Sequence, residues 1–189
     1  MRQPEEAATI ERAMQGDAEA FGTLYERFLE DIYTYLCYRV THTPLAEALT
    51  EQVFLKAWEG LPGFRQAEIP FLIWLYQIAY SMVSEADHQR REPPAFTYRN
   101  PIEWGHASPE EALSSSEPVE RLQWAMALLP ALEQDLLILR FVNRLSLEEA
   151  ASVMERRVDE VRLLQHRALK ALDTFLEMGG GKGHPRDHG

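Results

Sequence analysis

The chain has 189 residues, a formal net charge of −11 and a single cysteine. The length suits one or two small domains, and an apolar share of 46% leaves material for a core. No apolar run reaches the roughly 18 residues of a membrane-spanning helix, so membrane insertion is not expected. The lone Cys37 excludes an internal disulfide and fits a reducing cytoplasm.

The N-terminal stretch, MRQPEEAATIERAMQ, is acidic and amphipathic and does not read as a signal peptide. Beyond it, strand-like alternation is absent and 3.6-residue spacing recurs, so the chain reads as all-α. Asp17 is placed to N-cap a long helix running to about Val40, with Phe21, Leu24, Tyr25, Phe28, Ile32, Tyr35 and Leu36 at helical spacing. Cys37, between Leu36 and Tyr38, reads as a buried packing thiol. Thr43 and Pro44 open the next helix. Leu45, Leu49, Val53, Ala57 and Leu61 share its inner face, and Pro62-Gly63 ends it.

Another helix is expected from about Ile69 to Arg91. Trp74, Ile78 and Met82 lie on its core-like face. Tyr76 and Tyr80, with Arg90 and Arg91 at the end, combine aromatic and basic groups that suit stacking on unpaired bases; packing into a core is the other reading for both tyrosines. Residues 93–117 then break the pattern with Pro93, Pro94, Pro101 and Pro109 and a serine run, the composition of a flexible linker. Helices follow near Pro118 to Leu129 and Pro130 to Val142. The closing GGGKGHPRDHG has too little apolar surface to fold. The expected organisation is two small helical domains, residues 1–92 and 118–177, joined by a flexible linker at 93–117 and followed by a disordered tail at 178–189.

Residues 145–172, LSLEEAASVMERRVDEVRLLQHRALKAL, form two helical patterns joined by a few polar residues, as in a helix-turn-helix. Ser146 and Glu149 have capping-box spacing. The first helix runs from Leu147 to about Met154, and Val158 opens the second after a turn at residues 155–157. Val158, Val161, Leu164, Ala168, Ala171 and Leu172 form the second helix's inner stripe. Asp159, Arg162, Leu163, His166, Arg167 and Lys170 face the other way. In such a motif the second helix enters the major groove. Arg162 and Gln165 have the chemistry for guanine and adenine, while Arg156 and Arg157 at the helix start suit phosphate. The plainer reading is a helical hairpin with a solvated charged face.

Charge is distributed unevenly. Residues 1–92 carry 15 Asp/Glu against 8 Lys/Arg, whereas residues 156–170 reverse the sign. A net acidic chain is a poor DNA binder by itself, because phosphate contacts need lysine and arginine. A local basic face can still hold DNA when a partner delivers it.

Enzymatic chemistry finds little footing. GGGKGH, residues 179–184, superficially resembles a phosphate loop, but no strand precedes it and no Ser/Thr follows the lysine. His184 and His188 are an isolated pair without the donors of a zinc site. No catalytic residue, metal, cofactor or small-molecule substrate is expected.

Taken together, four segments resemble a bacterial sigma-70 family factor of the extracytoplasmic-function (ECF) group. DAEAFGTLYERF (17–28) is similar to the start of the family's region 2. AEALTEQVFLKAW (46–58) is similar to its core-polymerase-binding segment. WLYQIAYSMVSEADHQRR (74–91) is similar to the segment that melts and reads the −10 element. Residues 127–172 are similar to region 4, which reads the −35 element. The resemblance implies a non-enzymatic function: binding core RNA polymerase and promoter DNA in transcription initiation, with an anti-sigma factor as a further partner. By position it implies polymerase contacts for Glu47, Leu49, Thr50, Glu51, Phe54 and Trp58. A −10 surface would hold Gln77, Tyr80, Ser81, Glu85, His88, Arg90 and Arg91. A −35 surface would hold Arg156, Arg157, Glu160, Arg162, Leu163, Leu164, Gln165, His166 and Arg167.

The chain departs from the family's pattern in several places. Ala48 stands where an acidic residue is usual. Gln77 and Tyr80 replace common arginines, and Ser81 an asparagine. Glu160, Leu163 and Leu164 replace a threonine, a serine and an arginine. Fewer cationic contacts weaken DNA binding and flatten its salt dependence. Two functions are therefore compared: an alternative sigma factor that directs promoter recognition, and a sigma-like interaction protein that keeps polymerase or anti-sigma binding with weak or no promoter recognition.

Overall fold

Asp17 starts the helix around which the N-terminal half is built. Its Oδ1 accepts from the Glu19 and Ala20 N–H groups at 3.0 and 3.1 Å, satisfying two of the donors that every helix start leaves open. The computed structural model describes residues 3–40, 43–65, 68–89 and 118–180. In it α2 spans Ala18–Arg39 and buries Ala20, Leu24, Phe28, Ile32, Tyr35 and Leu36 along one stripe. The amphipathic N-terminal stretch is itself a helix, α1 (Gln3–Met14). It turns back at Gly16, whose φ of +89° glycine adopts without strain, and packs Ile10 and Ala13 into the core.

Helix α3 (Thr43–Gly60) buries Ala46, Thr50, Val53, Phe54 and Ala57. The face is rotated from the expected one: Leu45 and Leu49 are only half-buried. Leu61 is buried in the 3₁₀ turn Leu61–Gly63. Helix α4 (Phe71–Gln89) crosses α3 and α2. Tyr76 is wholly buried in this helix, its ring edge-on to Tyr35 at 5.7 Å and its hydroxyl donating to the Asp31 carbonyl at 3.4 Å. It is therefore a core residue rather than a stacking platform. Cys37 is buried, as its neighbours imply.

In the C-terminal half, α5 (Pro118–Ala127) and α6 (Ala131–Leu137) precede a π-helical turn at Ile138–Val142. Then come α7 (Leu147–Val153) and α8 (Val158–Gly180). Helix α8 continues through Met178 to Gly180, three residues into the stretch expected as tail. Once a helix is nucleated, each added residue needs only one more hydrogen bond, which offsets part of the glycine penalty. The expected linker and the rest of the tail lie outside the described residues. Among the described residues no helix is long and apolar enough to cross a membrane.

The halves pack against each other. One apolar cluster runs from Ile10, Leu24 and Tyr35 through Tyr76, Ala79 and Val83 to Leu139, Ala151, Met154 and Leu164. A smaller one, with Leu129, Leu137 and Ala168, seals α5 and α6 onto α8. Polar groups also cross the seam between the halves. Arg39 of α2 pairs with Asp135 of α6, both side chains almost fully buried. Asn143 Nδ2 donates to the Asp31 carbonyl at 3.3 Å. Removing one member of a buried ion pair typically costs about 3–5 kcal/mol, because the other charge is left uncompensated.

Candidate polymerase and nucleic-acid interfaces

On α3, the segment expected to meet the polymerase divides between core and surface. Thr50 and Phe54 are buried at 2% and 3% exposure; Phe54 belongs to the core, and Thr50 lines the floor of the groove beside α3. The Thr50 hydroxyl is satisfied within the helix by the Ala46 carbonyl at 2.7 Å. Phe54 packs edge-on against Tyr25 at 4.7 Å. Trp58 is half-buried against Phe21 at 4.8 Å. Glu47 and Glu51 are exposed and Leu49 half-buried.

Two features of this region were not legible as a site. Leu55 is 57% exposed, one turn beyond Glu51 and two beyond Glu47, so a leucine extends the acidic row. Beside that row a groove of about 460 Å³ opens between α2 and α3, walled by Tyr25, Leu29 and Tyr33 on one side and Glu47 and Glu51 on the other. The three α2 residues recur every four positions beside the buried stripe. That second stripe was the available signal. The groove joins apolar walls to carboxylates, which suits a basic amphipathic helix.

The expected −10 surface lies along α4. Gln77 Nε2 donates to the Ser152 carbonyl at 2.9 Å and lies 3.3 Å from its hydroxyl. Tyr80 is half-buried, and burial followed by the nearby Asp135 carboxylate pushes its phenol up. Ser81 is exposed and donates to the Ile78 carbonyl at 3.0 Å. Glu85 is exposed. His88 falls in the last turn of α4, and Arg90 and Arg91 lie outside the described residues.

The helix-turn-helix folds as its capping pattern dictates. The Glu149 N–H donates to Ser146 Oγ at 3.1 Å, and the Ser146 N–H to Glu149 Oε2 at 2.7 Å. Glu155 takes the left-handed conformation in the turn, φ 51°. On α8, Val161, Leu164 and Ala168 are buried, so Leu164 belongs to the core and not to a DNA-facing surface. Leu163, one residue earlier, is 59% exposed. Arg156, Arg157, Arg162, His166, Arg167 and Lys170 are all exposed. Gln165 is half-buried, and its Oε1 accepts from Arg140 Nε at 2.8 Å, which ties it inward rather than toward a base.

Acidic groups crowd the start of α8. Asp159 sits 3.3 Å from Arg162 Nη1 and 3.8 Å from Arg157 Nη2. Glu160 Oε2 accepts from the Arg157 N–H at 3.4 Å. Glu160 thus serves the helix start, where an anion is favoured by the helix dipole.

The pattern of the family described as "Sigma-70, region 4" matches residues 125–173, which include α7 and α8 as far as Asp173. The ECF RNA polymerase sigma factor SigD of Mycobacterium bovis is 32% identical over 181 residues, covering 92% of this chain and 84% of SigD. The ECF RNA polymerase sigma factor BldN of Streptomyces coelicolor is also 32% identical, over 169 residues; the match covers 88% of this chain and 64% of BldN. Among solved structures, CnrH in complex with the cytosolic domain of CnrY superposes with a TM-score of 0.66 at 19% identity, covering 90% of this chain and 96% of that one. That likeness carries the fold, while the SigD match extends through both helical halves. The chain belongs to the sigma-70 family of RNA polymerase sigma factors, in its ECF group.

Proposed function

We propose that this sigma factor acts in the cytoplasm by binding core RNA polymerase through the outer face of α3 and the groove beside it. It would then hold promoter DNA with two surfaces, α8 at the −35 element and α4 at the −10 element. The observation that carries the DNA reading is the open face of α8. Arg162, His166, Arg167 and Lys170 project from a helix whose opposite side is locked into the core by Val161, Leu164 and Ala168. An acidic chain gains affinity for DNA when the polymerase holds it near the promoter, through effective concentration. Family membership also supports an anti-sigma factor as a regulatory partner.

The carboxylates of Asp159 and Glu160 favour a second reading, a sigma-like protein that binds polymerase but reads promoters poorly. Run-off transcription with purified core polymerase and the promoter upstream of the chain's own gene separates the two. A specific transcript that depends on the chain is the expected result. Core binding with no specific transcript from that promoter or other native promoters would leave the second reading in its place.

A further inference from the structure

Leu163 stands out on the outer face of α8. It is 59% exposed, an apolar side chain held in water. Its direction is fixed, because Val161, Leu164 and Ala168 are buried on the opposite side and set the roll of the helix. Residues three and four positions away are its neighbours on the helix surface. Those are Asp159 and Glu160 toward the start, and His166 and Arg167 toward the end, all exposed.

The surrounding charges decide what Leu163 can face. Asp159 and Glu160 repel phosphate, so the second turn of α8 is a poor fit for the sugar-phosphate backbone. Cations flank that turn instead. Arg156 and Arg157 stand just before the helix, and Arg167 and Lys170 stand further along it, all open to solvent. Cations on both sides suit the two phosphate walls of a major groove, and they leave Leu163 over the base edges between those walls. The N-terminal part of a reading helix is also the part that meets base edges. In unmodified DNA those edges offer a single apolar group, the C5-methyl of thymine.

We infer that Leu163 is a specificity-determining residue, which selects a thymine in the −35 element by packing on its C5-methyl. This deepens the proposed function and rests on its assignment of α8 to the −35 element. The contact removes both the leucine and the methyl from water. Any other base at that position sets a polar edge or an empty space against the leucine, and a polar edge buried without a partner is disfavoured.

The test uses holoenzyme assembled from core polymerase and the full-length chain. It selects from a pool of duplexes of random sequence, once with the parent and once with Leu163→Ser. The parent pool should fix a thymine at a −35 position where the Leu163→Ser pool loses that preference. Each thymine of the selected −35 segment is then replaced singly by deoxyuridine, which removes the methyl and keeps every hydrogen-bonding group. One such change should weaken parent binding roughly fourfold, the size expected for one buried methyl. Leu163→Ser should lose a similar factor on the thymine duplex and nothing further on the uracil duplex, the non-additivity of a direct contact. An exposed site tolerates this substitution, so the variant should keep the parent's circular dichroism spectrum.

A selected −35 segment whose binding is unchanged by every uracil replacement would overturn the inference. So would a uracil loss of the same size in the Leu163→Ser chain. Either result leaves the proposed function standing. A holoenzyme that selects no −35 segment would instead remove α8 as a reader, and the role of Leu163 with it.

Discussion

Arg140 Nε donates to Gln165 Oε1 at 2.8 Å, joining the π-helical turn to α8. The same guanidinium also reaches the Leu145 carbonyl through Nη1. A glutamine reads adenine by using its amide oxygen and nitrogen together, and here the oxygen is already engaged. Gln165→Ala should therefore change promoter affinity less than Arg162→Ala does. Arg140→Ala should lower stability by about 1–3 kcal/mol, the usual range for losing hydrogen bonds from a charged donor. Urea unfolding should show a lower midpoint with an unchanged slope.

Asp159 occupies two of the cations that face outward at the start of α8. Asp159→Asn should release Arg157 and Arg162 for phosphate, raising DNA affinity at low salt and steepening the dependence of log K on log salt by about one to two. Arg162→Ala should weaken binding by about 1–3 kcal/mol. Titrations of the chain with polymerase at several salt concentrations measure both. An Arg162→Ala chain that binds as well as the parent would show that this face does not read DNA.

Leu163 and Leu164 are neighbours with opposite surroundings, 59% and 4% exposed. Leu164→Ala should cost about 2–5 kcal/mol by opening a cavity under α8. Leu163→Ser should stay within about 0.5 kcal/mol, as an exposed site does. Equal losses of stability from the two changes would contradict the placement of the helix.

Asp17 carries a pH dependence. The Ala20 N–H, then the Arg12 side chain, hold its carboxyl below the ordinary value of 3.8. A carboxyl depressed in the folded state contributes its full stability above the unfolded value and loses it as pH falls through the lower folded one. Asp17→Asn should retain the cap and lose that acid sensitivity, whereas Asp17→Ala should lower the thermal midpoint at neutral pH. Thermal scans between neutral and strongly acidic pH distinguish the three chains.

Much of the site was legible because its determinants are local. The spacing of Ser146 and Glu149 gave the start of α7, and the position of Val158 gave the start of α8. The 3.6-residue stripe separated Leu164 from Leu163 before any packing was known. The α3 surface was less legible, because Ala46, Thr50 and Phe54 compete with Leu45 and Leu49 for the same core. Which set wins depends on where Tyr25 and the rest of α2 stand, not on hydropathy within α3. Glu160 departs from the threonine of the family's pattern, and its hydrogen bond to the Arg157 N–H, seen only in the fold, gives it a structural reason.

The sequence by itself determined an all-α chain, the helix-turn-helix with its capped first helix, and the order of motifs that places it among sigma factors. Periodicity, caps and breakers act over a few residues and need no partner. Only the tertiary structure decided that Gln77 meets Ser152 and that Arg39 meets Asp135. These contacts span about 75 and 96 residues of chain, and no short-range pattern encodes them, because loop closure and apolar burial of whole helices set which faces meet.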